Sequence, residues 1–208
     1  MQDKPVALVT AADKGIGLQI ARDLAMHGLT VLVGSRNLEH AQTAAKSVGA
    51  DARALQLDVA NQASIAAAAE RIRSEFGRLD VLVNNAGVSQ AGKQGISHAG
   101  KPGRPSVASL DEVPAVFETN VFGVIAVTQA MLRLLEEAPA ARIVNVDPSN
   151  PRRTLFGPVY SPSMTGLDPT TLAFAIEFED AGIEANAACP GFTSTNLNTF
   201  EGTAERAA

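Results

Sequence analysis

Short apolar runs recur along this chain, each followed by a stretch whose apolar residues repeat at helical spacing, and that alternation leaves few architectures open. Val6-Ala-Leu-Val9 is followed by Ile16, Ile20 and Leu24, with a stop at His27-Gly28. A strand over 29–33 leads to a helix over 37–47, and a strand over 53–57 to an Ala-rich helix from about 62 to 75 that stops at Gly77. A strand over 79–83, a helix over 111–136, the strand Arg142-Ile-Val-Asn-Val146, a helix over 161–180 and a strand over 183–189 complete the pattern. The runs lack the strict two-residue alternation of a half-solvated sheet, so they fit parallel strands covered on both faces. The expected fold is α/β, a doubly wound parallel sheet in three layers, with residues 1–208 as one domain.

Residues 88–109 interrupt this order. They hold Gly92, Gly95, Gly100, Pro102, Gly103 and Pro105 among few large apolar side chains. At about 22 residues the stretch exceeds an ordinary connection, so it is expected to be a long flexible loop, either a mobile cover over a site or a disordered excursion. A hydrophobic share of 46% with 19% charged residues fits a soluble globular chain. The net charge of -5 argues against nucleic acid or an anionic membrane as partner. Cys189 is the sole cysteine, which excludes an intrachain disulfide. The opening residues MQDKPVALVT do not read as a secretion signal. No run reaches the roughly 18 consecutive apolar residues of a membrane span, so a soluble cytoplasmic protein is expected.

Between the first strand and first helix lies Thr10-Ala-Ala-Asp-Lys-Gly-Ile-Gly17. A turn in this place presents backbone N–H groups and a helix N-terminus to a pyrophosphate. Gly15 and Gly17 either let phosphates approach or let the helix pack closely on the sheet. The second strand ends Gly34-Ser-Arg36, with no acid to take a free ribose hydroxyl. Lys14 and Arg36 instead suit a 2′-phosphate, so NADP is favoured over NAD. Asp58 either accepts from an adenine amino group or caps the turn that follows it.

The order of Thr10, Gly15-Ile16-Gly17, Asp58, Asn84-Asn85-Ala86-Gly87, Asn120, Tyr160 and Pro190-Gly191 resembles the classical short-chain dehydrogenase/reductase family over residues 5 to about 200. The resemblance implies a Rossmann-type sheet, an oxidoreductase acting on small carbonyl or hydroxyl compounds, and a homo-oligomer docked through helices 111–136 and 161–180. It implies that Asn84, Ala86 and Gly87 line the adenine-ribose side and support the central sheet, with Pro190, Gly191 and Thr193 near the nicotinamide. It also implies that Asn120 holds a water in a proton relay and that Tyr160, the only tyrosine, exchanges the substrate proton. No metal ligands are assigned.

The chain departs from the family pattern where chemistry is done. Ala11 stands at the first glycine of the turn, Met164 at the lysine four residues after Tyr160, and Pro148 at the catalytic serine. Without an ammonium beside it, Tyr160 is expected to titrate near its ordinary value of about 10, and higher if Asp147 faces the same pocket. Asp147 and Ser149 flank Pro148. Asp147 is either a proton acceptor paired with a neutral Tyr160 or the first residue of an Asx turn. Met164 reads as filling of the gap left by the lysine. Gly166-Leu-Asp-Pro169 is expected to kink or restart the helix. The chain ends soon after Pro190-Gly191, which implies a sheet shortened at its C-terminal end. Three functions follow: a reductase with altered proton delivery, a non-redox dehydratase, isomerase or cyclase using Asp147 and Tyr160, or a catalytically silent cofactor sensor.

Overall fold

The computed structural model describes residues 4–89, 110–147, 159–191 and 193. Its six strands are β1 (Val6–Val9), β2 (Thr30–Ser35), β3 (Ala52–Gln56), β4 (Val81–Asn84), β5 (Arg142–Val146) and β6 (Glu184–Ala188). All pair in parallel, in the order β3-β2-β1-β4-β5-β6. The chain winds outward from β1 to β3, returns to the middle at β4, and winds the other way. The reversal between β1 and β4 leaves their carboxyl ends open to a ligand.

The helices are α1 (Gly15–Met26), α2 (Leu38–Val48), α3 (Gln62–Phe76), α4 (Glu112–Phe117), α5 (Gly123–Glu136) and α6 (Tyr160–Glu177). A π-helical turn, Glu118–Phe122, joins α4 to α5. Successive side chains of a strand point to opposite faces, so each strand supplies two layers. On one face Val9, Val31, Val33 and Val83 meet Ala21 of α1 and Ala44 and Ala45 of α2. On the other, Leu8, Leu32, Leu82 and Ile143 meet Ile65 and Ile72 of α3, Met131 and Leu135 of α5, and Phe174 of α6. Each such fully buried large side chain contributes about 1.5–3 kcal/mol relative to exposure. The expected three-layer, doubly wound architecture is what the chain adopts.

Local chemistry sets the helix limits. Asn37 and Asn61 cap α2 and α3 through side-chain oxygens that accept the N–H groups of His40 and Ser64. Gly77 closes α3 in the left-handed conformation, at φ 74°.

One expectation is corrected in part: the restart expected at Pro169 does not occur, and α6 is one helix from Tyr160 to Glu177. The missing N–H removes one backbone bond, but burial of Leu167, Thr171 and Phe174 holds the helix on both sides of the proline. Thr170 Oγ1 donates to Gly166 O at 2.9 Å and Thr171 Oγ1 to Leu167 O at 2.9 Å, reinforcing the same turns. Next, the continuous helical stretch Val113–Glu136 is by length and composition sufficient to cross a membrane. Its Val124, Val127, Met131, Leu134 and Leu135 are buried, and all but Val124 belong to the core beneath the sheet, which marks a core helix. The expectations of a flexible loop over 88–109 and of a shortened C-terminal end rest mainly on residues 90–109 and 194–208, outside the described residues.

Candidate active site

The carboxyl ends of β1, β4, β5 and β6 bring together Thr10, Asn85 to Gly87, Asp147 and Cys189 to Gly191. At the first of these ends the backbone of Ala11 takes φ 50°, the sole positive value among described residues other than glycine. An L side chain there costs about 1–2 kcal/mol. The turn is held against that strain. Ala12 N–H donates to Gly34 O at 2.8 Å, and Asn85 Nδ2 donates to Thr10 O at 2.9 Å and Ala11 O at 3.2 Å. Thr10 Oγ1 accepts from the N–H groups of Asn85 and Ala86, both at 2.9 Å.

Gly15 also needs a positive φ, 58°. Gly17 is required by packing: a Cβ there would fall on Asn85 Nδ2 and lie 2.7 Å from Ala11 O. The close helix–sheet contact therefore accounts for Gly17 without any ligand. Lys14 stands at the N-cap of α1 and makes no side-chain capping bond, which leaves the first-turn N–H groups available to an anion. Lys14 and Arg36 are both exposed, and Ile16 is half-buried. Asp58 Oδ1 accepts from Ala60 N–H at 3.1 Å, which realises the turn-capping alternative for that residue.

Asn84 is buried inside the sheet, where its Nδ2 donates to Asn145 Oδ1 at 2.9 Å and Thr128 Oγ1 at 3.2 Å. It supports the sheet and does not line a ligand surface. At Gly87 an added Cβ would meet Asn120 Oδ1 at 3.7 Å, an ordinary contact, so packing alone does not demand glycine.

Asn120 lies in the π-helical turn and is 0% exposed. Its Oδ1 accepts from Val88 N–H at 2.8 Å, and its Nδ2 donates to Val88 O at 3.0 Å and Ser163 Oγ at 2.9 Å. Both amide hydrogens are thus committed to protein. These bonds make the amide a clamp between the exit of β4 and α6.

Tyr160 opens α6 and is half-buried. Burial first, then the Asp147 carboxylate and Cys189, push its hydroxyl well above the ordinary tyrosine value. The sequence reading anticipated the carboxylate but not burial, the larger cause. Asp147 is 2% exposed and its N–H donates to Ala188 O at 2.9 Å, which extends the β5–β6 pairing by one residue. Met164, one helical turn beyond Tyr160, is 2% exposed and packed inside, as expected of a gap filler. Gly191 has φ 71°, and Thr193 is buried with Oγ1 donating to Pro190 O at 3.1 Å. Pro148 and Ser149 lie outside the described residues.

Two residues of this region carry more than the sequence reading gave them. Asn85 was legible as part of Asn84-Asn85-Ala86-Gly87 but had no role, and it is the tie between β4 and the turn. Ser163 is 0% exposed, accepts from Asn120 and donates to Tyr160 O at 2.7 Å. A serine three residues after a tyrosine carries no signal until the helix places it.

A family profile described as short chain dehydrogenase matches residues 5–206. The 3-oxoacyl-acyl-carrier-protein reductase FabG of Escherichia coli (strain K12) is 31% identical over 193 residues, covering 92% of this chain and 75% of its own length. A crystal structure of an actinorhodin polyketide ketoreductase variant with NADPH superposes with TM-score 0.81 at 34% identity, covering 95% of this chain and 74% of the other. The 3-ketoacyl-(acyl-carrier-protein) reductase of Brucella melitensis complexed with NADH gives TM-score 0.82 at 29% identity, covering 96% and 80%.

Proposed function

This chain belongs to the short-chain dehydrogenase family, and on that premise we propose that it binds NADP(H) and acts on a small carbonyl or hydroxyl compound with altered proton transfer. The observation that carries the reading is the half-buried Tyr160 phenol beside the buried Asp147 carboxylate, with buried Met164 one turn away. Solved relatives described with NADPH and with NADH support a nicotinamide cofactor. Lys14 and Arg36 favour the form with a 2′-phosphate.

The residues fit such a cofactor on its phosphate side. The uncapped start of α1, the left-handed turn at Ala11 and Gly15, and the exposed Lys14 and Arg36 would hold its phosphates. Ala86, Gly87, Pro190, Gly191 and Thr193 would flank the rest. When bound, a nicotinamide supplies or accepts hydride. On the reacting side the fit is partial, because the Met164 thioether offers no ammonium. Tyr160, held neutral, would donate a hydrogen bond to the substrate oxygen; Asp147 would take the hydroxyl proton when an alcohol is oxidised and, protonated, would return it to the oxygen when a carbonyl is reduced. Ser149, outside the described residues, would take the orienting role of the family serine only with a change of register.

Asp147 beside a neutral phenol also suits a second reading, a dehydratase, isomerase or cyclase that uses a base and a hydrogen-bond donor without net redox change. Incubation with NADPH and a panel of small ketones and 3-oxoacyl thioesters separates the cases. Slow NADPH oxidation that Tyr160→Phe and Asp147→Asn both abolish is the expected result. Substrate conversion without NADPH consumption would favour the second reading. Dinucleotide binding with no conversion of any kind would leave a silent cofactor-binding protein.

We place the protein in the cytoplasm as a homo-oligomer. With Cys189 as its sole cysteine the chain holds no intrachain disulfide, which suits a reducing compartment. Leu172 and Ile176 on α6 and Phe122 beside α5 are 61%, 65% and 53% exposed, an apolar surface on the two helices expected to dock. Light scattering at several concentrations tests the assembly, and a constant monomer mass would refute it.

A further inference from the structure

Two amide side chains, those of Asn85 and Asn120, connect the β1–α1 turn to the backbone of Tyr160, and we propose that with Ser163 they form a positioning relay. Occupancy of the turn by the adenosine-phosphate half of a dinucleotide sets how firmly Tyr160 is held. The inference rests on the NADP(H) reading given above.

At the near end, Asn85 Nδ2 donates to the carbonyls of Thr10 and Ala11, while the N–H groups of Asn85 and Ala86 both donate to Thr10 Oγ1. The turn cannot shift without moving residues 85 and 86. At the far end, Val88 has both backbone groups taken by the Asn120 amide, at 2.8 and 3.0 Å. The remaining amide hydrogen of Asn120 goes to Ser163 Oγ, whose own hydrogen goes to Tyr160 O.

Both central members, Asn120 and Ser163, are 0% exposed. Their donors are all used, and breaking one bond would strand a buried polar group, so the arrangement moves as a unit. The π-helical turn fixes Asn120 further, because α5 begins at Gly123, whose missing Cβ would lie 2.9 Å from Val59 O. Met164 supplies no charge to hold the phenol, so the placement of Tyr160 depends more on its backbone, where Ser163 Oγ donates to Tyr160 O. Ser163 and Asn120 are positioning residues: they act through Tyr160 and Val88.

Tyr160 is the only tyrosine, so ring-labelled tyrosine gives NMR signals from that residue alone. The probe is adenosine 2′,5′-bisphosphate, which carries both phosphates but no nicotinamide and so does not reach Tyr160. In the unaltered protein the probe should bind and displace the Tyr160 signals. Ser163→Ala should keep its affinity within about twofold, as expected for a separate site, yet lose the displacement. Ser163→Thr, which keeps a hydroxyl, should retain it. Ser163→Cys, nearly isosteric with a weaker donor, serves if the alanine variant does not fold, and should show a diminished response. Binding with no displacement, or a displacement unchanged in Ser163→Ala or Ser163→Cys, would overturn the relay and leave the cofactor reading standing. No binding to the unaltered protein would overturn both.

Discussion

Asp147 lies close enough to Tyr160 that its carboxylate disfavours the phenolate, in a corner where burial already does the same. The pair lies where the end of β5 meets the start of α6, and the proton transfer proposed above depends on it.

The chain has one tyrosine and no tryptophan, so the rise of tyrosinate absorbance near 295 nm reports Tyr160 alone. We expect the phenolate to form well above the ordinary value of 10.0. Asp147→Asn should lower the midpoint without restoring the ordinary value, because burial is the larger cause. A midpoint at 10 in the folded protein would refute this.

The same shift has a consequence for stability. Tyr160 is neutral in both folded and unfolded chains below pH 10, so its contribution there is complete. Above the unfolded value the unfolded chain releases the proton first, and stability falls as pH rises toward the folded value. Denaturant midpoints measured from pH 8 to 11 should decline in the natural protein and decline less in Tyr160→Phe.

Ala11 at φ 50° is strained, and glycine would relieve it. Allowing for the greater freedom of glycine in the unfolded chain, Ala11→Gly should stabilise by about 0.5–1 kcal/mol. Gly17→Ala should destabilise by about 1–3 kcal/mol through its clash with Asn85 and the Ala11 carbonyl. Urea denaturation measures both, and opposite signs at the two positions are the expected outcome.

Cofactor choice tests the exposed cations. Arg36→Ala and Lys14→Ala should each weaken NADPH binding by about 10–100-fold, as loss of a charge-assisted bond does. NADH binding should change little. Calorimetric titration checks this, and equal loss for both dinucleotides would remove the 2′-phosphate assignment.

Met164→Lys combined with Pro148→Ser should raise NADPH-linked ketone turnover above that of the natural chain, measured at 340 nm. Since α6 is continuous through Pro169, Tyr160 is already at the start of a regular helix and no helix break stands in the way. Robust turnover by the natural chain, lost in Tyr160→Phe, would show that the lysine and serine are dispensable here.

Most of the sheet was legible because parallel strands buried on both faces must be written as apolar runs, and Val6–Val9 and Arg142–Val146 match their expected limits. The Asn-Asn-Ala-Gly run was legible as a motif, but not the division of work in which Asn84 braces the sheet and Asn85 the turn. Pro169 misled because a local breaker was weighed without the buried contacts of Leu167, Thr171 and Phe174 that override it. The direction of Asp147 was undecidable from sequence. It follows from the bond of its N–H to Ala188 O, a pairing between residues 41 positions apart, about which local pattern is silent.

Of the residues of β6, Ala185 alone is buried, and β5 is its sole strand neighbour among the described residues. The phosphate side of the site therefore rests on the innermost strands, whereas Cys189, Pro190 and Gly191 hang from the most weakly anchored one. Amide hydrogens of β6 should exchange with solvent well before those of β1. On the NADP(H) reading proposed above, a ligand that orders β6 would spend part of its intrinsic affinity on order rather than on contact, whereas one seated at the β1–α1 turn would meet a backbone already built.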